Sequence, residues 1–112
     1  MPSLKRRSVM LAGLAGAFLM VGAAHAEAAA VRYYDTAPGY RLNVRSGPGT
    51  GYSIIRVLPE GAKVPVYCQT PGERITGPYG TSTIWDNIDD GEFVSDAYVH
   101  TGSDGYVAGR CS

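Results

Sequence analysis

An all-β fold is predicted for the part of this 112-residue chain that follows an apolar leader. Apolar and polar residues alternate over short runs there. Fifteen glycines and seven prolines in the chain punctuate those runs. No segment past the leader sustains the spacing of an amphipathic helix.

The elements follow in order. Residues 31–34 form a first strand, and Ala37-Pro38-Gly39 turns the chain. Residues 41–45 come next, with Leu42 and Val44 on one face and Asn43 and Arg45 on the other. Ser46-Gly47-Pro48-Gly49 ends that strand, because proline fixes φ and glycine admits φ > 0. In residues 53–58, Ile55 and Val57 share one face and Ile54, Arg56 and Leu58 the other. Pro59-Glu60-Gly61 makes a tight turn.

Residues 62–69 carry the strongest strand pattern, with Val64, Val66 and Cys68 opposite Lys63, Pro65, Tyr67 and Gln69. Pro65 has no N–H to donate, so its nitrogen belongs at an edge, a bulge or in solvent. Residues 69–82 read as a loop containing Tyr79. Residues 83–88 form a strand, with Ile84, Asp86 and Ile88 on one face and Trp85 and Asn87 on the other. Asp89-Asp90-Gly91 has hairpin chemistry and leads into residues 92–94, then a tail. The predicted core is Leu42, Val44, Val57, Val64, Val66 and Ile88.

The leader reads as an export signal. Lys5, Arg6 and Arg7 precede an uncharged apolar run over residues 9–24, and Ala24-His25-Ala26 fits a signal peptidase site. Cleavage after Ala26 is expected, with Ala28 the alternative. Arg6-Arg7 leaves both the general and the twin-arginine routes open. The apolar run is shorter than the ~20 residues of a spanning helix, so no stable membrane anchor is expected. The expected location is secreted, outside the cell.

From Glu27 onward there are seven basic and ten acidic side chains, a net charge of −3. That is no footprint for nucleic acid, which calls for a strongly basic face. So short a chain is marginal on its hydrophobic core alone. Cys68 and Cys111 are the only cysteines, and in an oxidising milieu such a pair reads as one disulfide. The loop it closes is worth about 4 kcal/mol in the chain-entropy picture.

Leu42-Asn43-Val44-Arg45-Ser46-Gly47-Pro48 resembles the opening strand and loop of bacterial SH3 (SH3b) domains. Residues 55–64 resemble that family's central strand-turn-strand, and Trp85-Asp86-Asn87-Ile88 its tryptophan strand. Residues 91–99 resemble its closing strand, with Phe93 where tryptophan is usual. The resemblance implies a small SH3-like barrel of about five to seven short strands, spanning residues 40–112 after a signal at 1–26 and a lead-in at 27–39. Two departures are a long connection from Cys68 to Trp85 and a tail beyond Val99, expected to fold back and be pinned by the disulfide.

The resemblance also implies a monomeric, non-catalytic binding module for cell-wall (peptidoglycan) peptide or another extracellular peptide, in an aromatic-lined groove. The alternative is an interaction or inhibitor protein aimed at another extracellular protein. Trp85 lies opposite the isoleucine face, so it either lines that groove or is buried by barrel twist under the tail. Asn43 and Arg45 can pair with a ligand's backbone or carboxylate, or hold the glycine loop in shape. Tyr52, Tyr79 and Tyr98 are further groove candidates.

No cofactor or metal is expected. The acidic run 86–92 departs from the calcium-loop template, and His100 is the only histidine after the leader. No nucleophile elbow, phosphate loop or His-Glu-x-x-His motif is present, so no enzyme is expected.

Overall fold

The computed structural model describes residues 30–112; the expected export signal and its expected cleavage positions lie outside the described residues. Among the described residues, eight strands make two sheets. They are β1 (Arg32–Thr36), β2 (Leu42–Arg45), β3 (Ile54–Leu58), β4 (Lys63–Val66), β5 (Cys68–Gly77), β6 (Gly80–Asp89), β7 (Glu92–Ser95) and β8 (Val99–His100). A 3-10 turn, Asp96–Tyr98, joins β7 to β8. One sheet runs β8-β1-β4 and the other β3-β2-β7-β6-β5. The arrangement is SH3-like, although the two sheets do not close into one continuous barrel ladder.

Alternation explains the interior. Leu42, Val44, Leu58, Val64, Val66, Ile88, Val94 and Val99 form the buried cluster between the sheets. Five of the six predicted core residues are there. Val57 is not; it is 38% exposed, and Leu58 takes its place at 7%. The cause is the β2–β3 register, which sets Leu58 opposite Leu42 and Val57 opposite Asn43. Directly paired residues share a face, so Leu58 follows Leu42 inward. Apolar residues on both faces of β3 hide this from periodicity alone.

Two further expectations need correction. The predicted loop at 69–82 is a long hairpin, with β5 and β6 paired from Cys68–Asn87 to Gly77–Gly80. Pro71 and Gly72 fall in a bulge of β5, where the register shifts between Pro71 and Ile75. An edge strand tolerates both residues. Gly80, at φ 113°, supplies the positive φ that the hairpin end requires. The single strand expected at 62–69 is divided: β4 joins the smaller sheet, and β5 starts the larger one at Cys68.

The tail returns as expected. Cys68 and Cys111 are disulfide-bonded, with Cα atoms 5.0 Å apart. Beside them, Gln69 N–H donates to Gly109 O and Gln69 O accepts from Cys111 N–H, each at 2.9 Å. The fully buried Gln69 side chain completes the junction. Its Oε1 accepts from Val107 N–H (2.7 Å) and Ala108 N–H (2.9 Å), and its Nε2 donates to Asp86 Oδ1 (2.7 Å). One side chain therefore ties tail, β5 and β6 together.

Candidate functional site

The glycine loop after β2 is locked by its own residues. Ser46 N–H donates to Ser53 O at 2.9 Å across its neck. The Tyr52 ring lies where a Cβ on Gly47 would stand, 2.5 Å away, so only glycine fits beneath it. Arg45 Nη1 donates to Thr50 O (3.2 Å) and Tyr52 O (3.0 Å). Glu73 closes the loop from β5, its Oε1 accepting from Thr50 N–H at 2.6 Å and Thr50 Oγ1 at 2.7 Å. Those two bonds, backbone first, hold the Glu73 carboxyl below its ordinary range against an opposing desolvation, with Arg45 adding a lesser pull in the same direction as the bonds.

Beneath this loop lies Trp85, only 2% exposed. Its Nε1–H donates to Glu73 O at 2.9 Å. Gly72 packs against both Pro48 and the indole edge, where a Cβ would collide with the Pro48 carbonyl and the ring. Trp85 is thus no half-exposed anchor. The β5 bulge provides cover, with Gly72 at the indole edge and Glu73 O accepting the indole N–H. Ile84, Asp86 and Ile88 on the opposite face are also buried, so β6 is enclosed on both sides.

An open cavity of about 330 Å³ remains between loop and sheet. Asn43, Arg45, Trp85 and Tyr98 all line it, brought from β2, β6 and the 3-10 turn. Asn43 lines it as an exposed residue, whereas Trp85 contributes only the little of its indole that 2% exposure leaves. Tyr98 stands on one wall, edge-on to Tyr40 with ring centroids 5.5 Å apart. Tyr40, Thr50, Ile75 and Ser95 complete the lining beside Arg41 and Leu42. Tyr40 is the aromatic missed in the sequence; its place immediately before the opening strand was the available signal. Tyr52 and Tyr79 do not line this cavity. Tyr52 caps the loop, and Tyr79 stacks on His100 at 5.0 Å in a separate depression.

The two readings of Arg45 meet here. One guanidinium nitrogen shapes the loop, while the residue still lines the cavity. Asn43 makes no side-chain hydrogen bond among the described residues and pairs across the sheet with Val57. The lining offers aromatic surface, the two arginines Arg41 and Arg45, and amide and hydroxyl groups. That set suits an extended peptide carrying carboxylates.

A second polar feature lies nearby. Asp86 and Asp96 are buried, and Asp86 Oδ2 and Asp96 Oδ1 meet no N–H or hydroxyl. The two carboxyls are near enough for the ionisation of each to perturb the other. Desolvation first, then the hydrogen bond and charge of Asp86, push Asp96 up to about 8. Desolvation also raises Asp86, against the pull of Asp96 and Gln69.

Comparison with known proteins shows the family. The bacterial SH3 domain family matches residues 41–111. Two Bacillus subtilis (strain 168) proteins, each named only as an uncharacterized protein, are similar over the whole of this chain. YraI is 42% identical, with 99% of its own length covered, and YraJ is 41% identical, with 100% covered. SH3b domains are binding modules, and no catalytic role attaches to the family. The glycine loop, the enclosed tryptophan strand and the closing strand with its short turn all fall inside the matched span, and the chain belongs to the bacterial SH3 domain family.

Proposed function

We propose that this protein is a secreted, non-catalytic module that holds a cell-wall peptide in the cavity between the glycine loop and the β2-β7-β6 face. One observation carries this reading: Asn43, Arg45, Trp85 and Tyr98, distant in sequence, line a single open cavity. The Tyr40 and Tyr98 rings supply apolar area, while Asn43 and the Arg45 guanidinium address the backbone and carboxylates of a peptide stem. Export fits the basic, apolar and small-residue leader, cleaved after Ala26 or Ala28. The disulfide fits an oxidising compartment.

Sedimentation with purified peptidoglycan tests the reading. Wild-type protein co-sediments, and Asn43→Ala with Tyr40→Ala, both on exposed rim positions, lowers the bound fraction. Protein left in the supernatant at every peptidoglycan concentration overturns it.

A protein partner is the second reading. The observation for it is edge strand β3, which leaves Ile54, Ile55 and Val57 exposed beside Tyr52. A free edge with apolar side chains is suited to pairing with another strand.

A further inference from the structure

The depression on the other side of the 3-10 turn has a different chemistry. Its volume is about 140 Å³, well under that of a drug-sized ligand site. Tyr79 and His100 form one wall, stacked with rings 13° from parallel. Ser82 and Asp96 line it from the sheet side, and Asp104 from the tail. No lysine or arginine lines it.

Asp96 is the informative residue. It is 5% exposed, yet it lines this depression. Its Oδ1 is buried without a hydrogen-bond partner, and the nearby Asp86 carboxyl disfavours its ionisation. Buried carboxylates normally have a cation or several donors. Here two of them share one site. Gln69 of β5 donates to Asp86, and His100 of β8 and Asp104 of the tail line the depression with Asp96. Arg74 lines the neighbouring depression with Asp104.

We propose that this depression is a second ligand site, separate from the peptide cavity, and that it takes a primary ammonium group on an aliphatic stem, such as a lysine side chain. An ammonium has three N–H donors. Asp96, Asp104 and the Ser82 hydroxyl provide acceptors of the kind it needs, and the face of Tyr79 gives the charge and stem a π surface. A hard metal ion is the poorer match. It requires six or more oxygen ligands, and the described residues hold no cluster of three His, Cys, Asp or Glu side chains able to bind one.

The site carries its own signature. When empty, the Asp86–Asp96 pair retains a proton near pH 7, since Asp96 is pushed up to about 8. An arriving cation favours the fully ionised pair. The proton passes to the buffer, and no covalent bond other than that O–H changes. Binding should therefore release protons near neutral pH and strengthen as pH rises toward 8.

The test is titration of the purified protein with Nα-acetyl-lysine amide. Amide chemical shifts locate the probe, and calorimetry in two buffers of different ionisation enthalpy counts protons. The expected result is saturable shifts at Ser82, Asp96 and Asp104, with proton release. The Nε-acetylated probe should bind at least about tenfold more weakly, because its cation is gone. In Asp96→Asn the new amide can donate to Asp86 in place of the pair's proton, so the fold is kept. That variant should bind at least about tenfold more weakly and release no proton. Asp104→Asn, on the exposed tail, should weaken binding and keep the proton release. Equal binding of both probes, unchanged affinity in Asp104→Asn, or tighter saturation of the same amides by calcium ions would each overturn the proposal.

Discussion

Replacing Gln69 by leucine removes the polar junction while keeping an apolar group of similar size. Three side-chain hydrogen bonds are lost, at 2.7, 2.7 and 2.9 Å. Asp86 Oδ1 is left in a site with no access to water, since Asp86 is 0% exposed. An unsatisfied buried acceptor costs about 1–3 kcal/mol. Val107 and Ala108 are only half-buried, so water can partly replace their lost acceptor, at about 0.5 kcal/mol each. The expected destabilisation is about 3 kcal/mol, a large share of the roughly 5–15 kcal/mol typical of a domain. Urea unfolding with the disulfide intact measures it. Hydrogen exchange at the Val107 and Ala108 amides should rise together, while the Val44 amide follows only the global loss. A Gln69→Leu midpoint equivalent to less than about 1 kcal/mol of change would refute the view that this side chain fastens the tail to the sheet. Gln69→Glu sharpens the test. Its carboxylate can still accept from the tail amides but cannot donate to Asp86, so its penalty should grow as pH rises.

Three other outcomes are expected. The folded chain holds a proton on the Asp86–Asp96 pair that the unfolded chain releases above its ordinary value of 3.8, so wild-type stability should fall from about pH 4 towards pH 8 and then level. Asp96→Asn should flatten that slope in thermal melts at a series of pH values, and an unchanged slope would count against the retained proton. Gly72→Ala should destabilise by about 1–3 kcal/mol through overpacking against Pro48 and Trp85, read as a lower urea midpoint. Glu73→Ala should speed hydrogen exchange at the Thr50 amide with little change in the core, since both Glu73 bonds end on Thr50.

How far the chain could be read by eye depended on local rules. Leu42-Asn43-Val44-Arg45 alternates cleanly and has one buried face, so its strand, its core residues and its outward pair were legible. Cys68 and Cys111 were legible because no third cysteine competes. Trp85 was not. Its neighbours Ile84 and Ile88 mark one face as apolar, but burial of the other depends on Gly72 and Pro48 arriving from distant segments. Pro71 and Gly72 look like loop residues because their usual effect on a strand is disruptive, and only their position on an edge strand makes them tolerable. Gln69 reads as an outward polar residue when the alternation is continued from Val64 and Val66. The phase restarts at Tyr67, between β4 and β5, and Gln69 turns inward. Tyr98 and Tyr40 meet through the fold alone, fifty-eight positions apart in the chain.

The central claim is that the cavity beneath the glycine loop binds wall peptide, and mapping a soluble peptidoglycan stem-peptide fragment onto the amide spectrum tests it most directly. The account predicts saturable shifts concentrated at Tyr40, Asn43, Arg45, Thr50 and Tyr98, together with a shift of the Trp85 indole N–H. It also predicts that Asn43→Ala weakens the fragment while leaving the fold intact. Shifts confined to β3, to the Tyr79–His100 depression or to no residue at all at saturating fragment would contradict it.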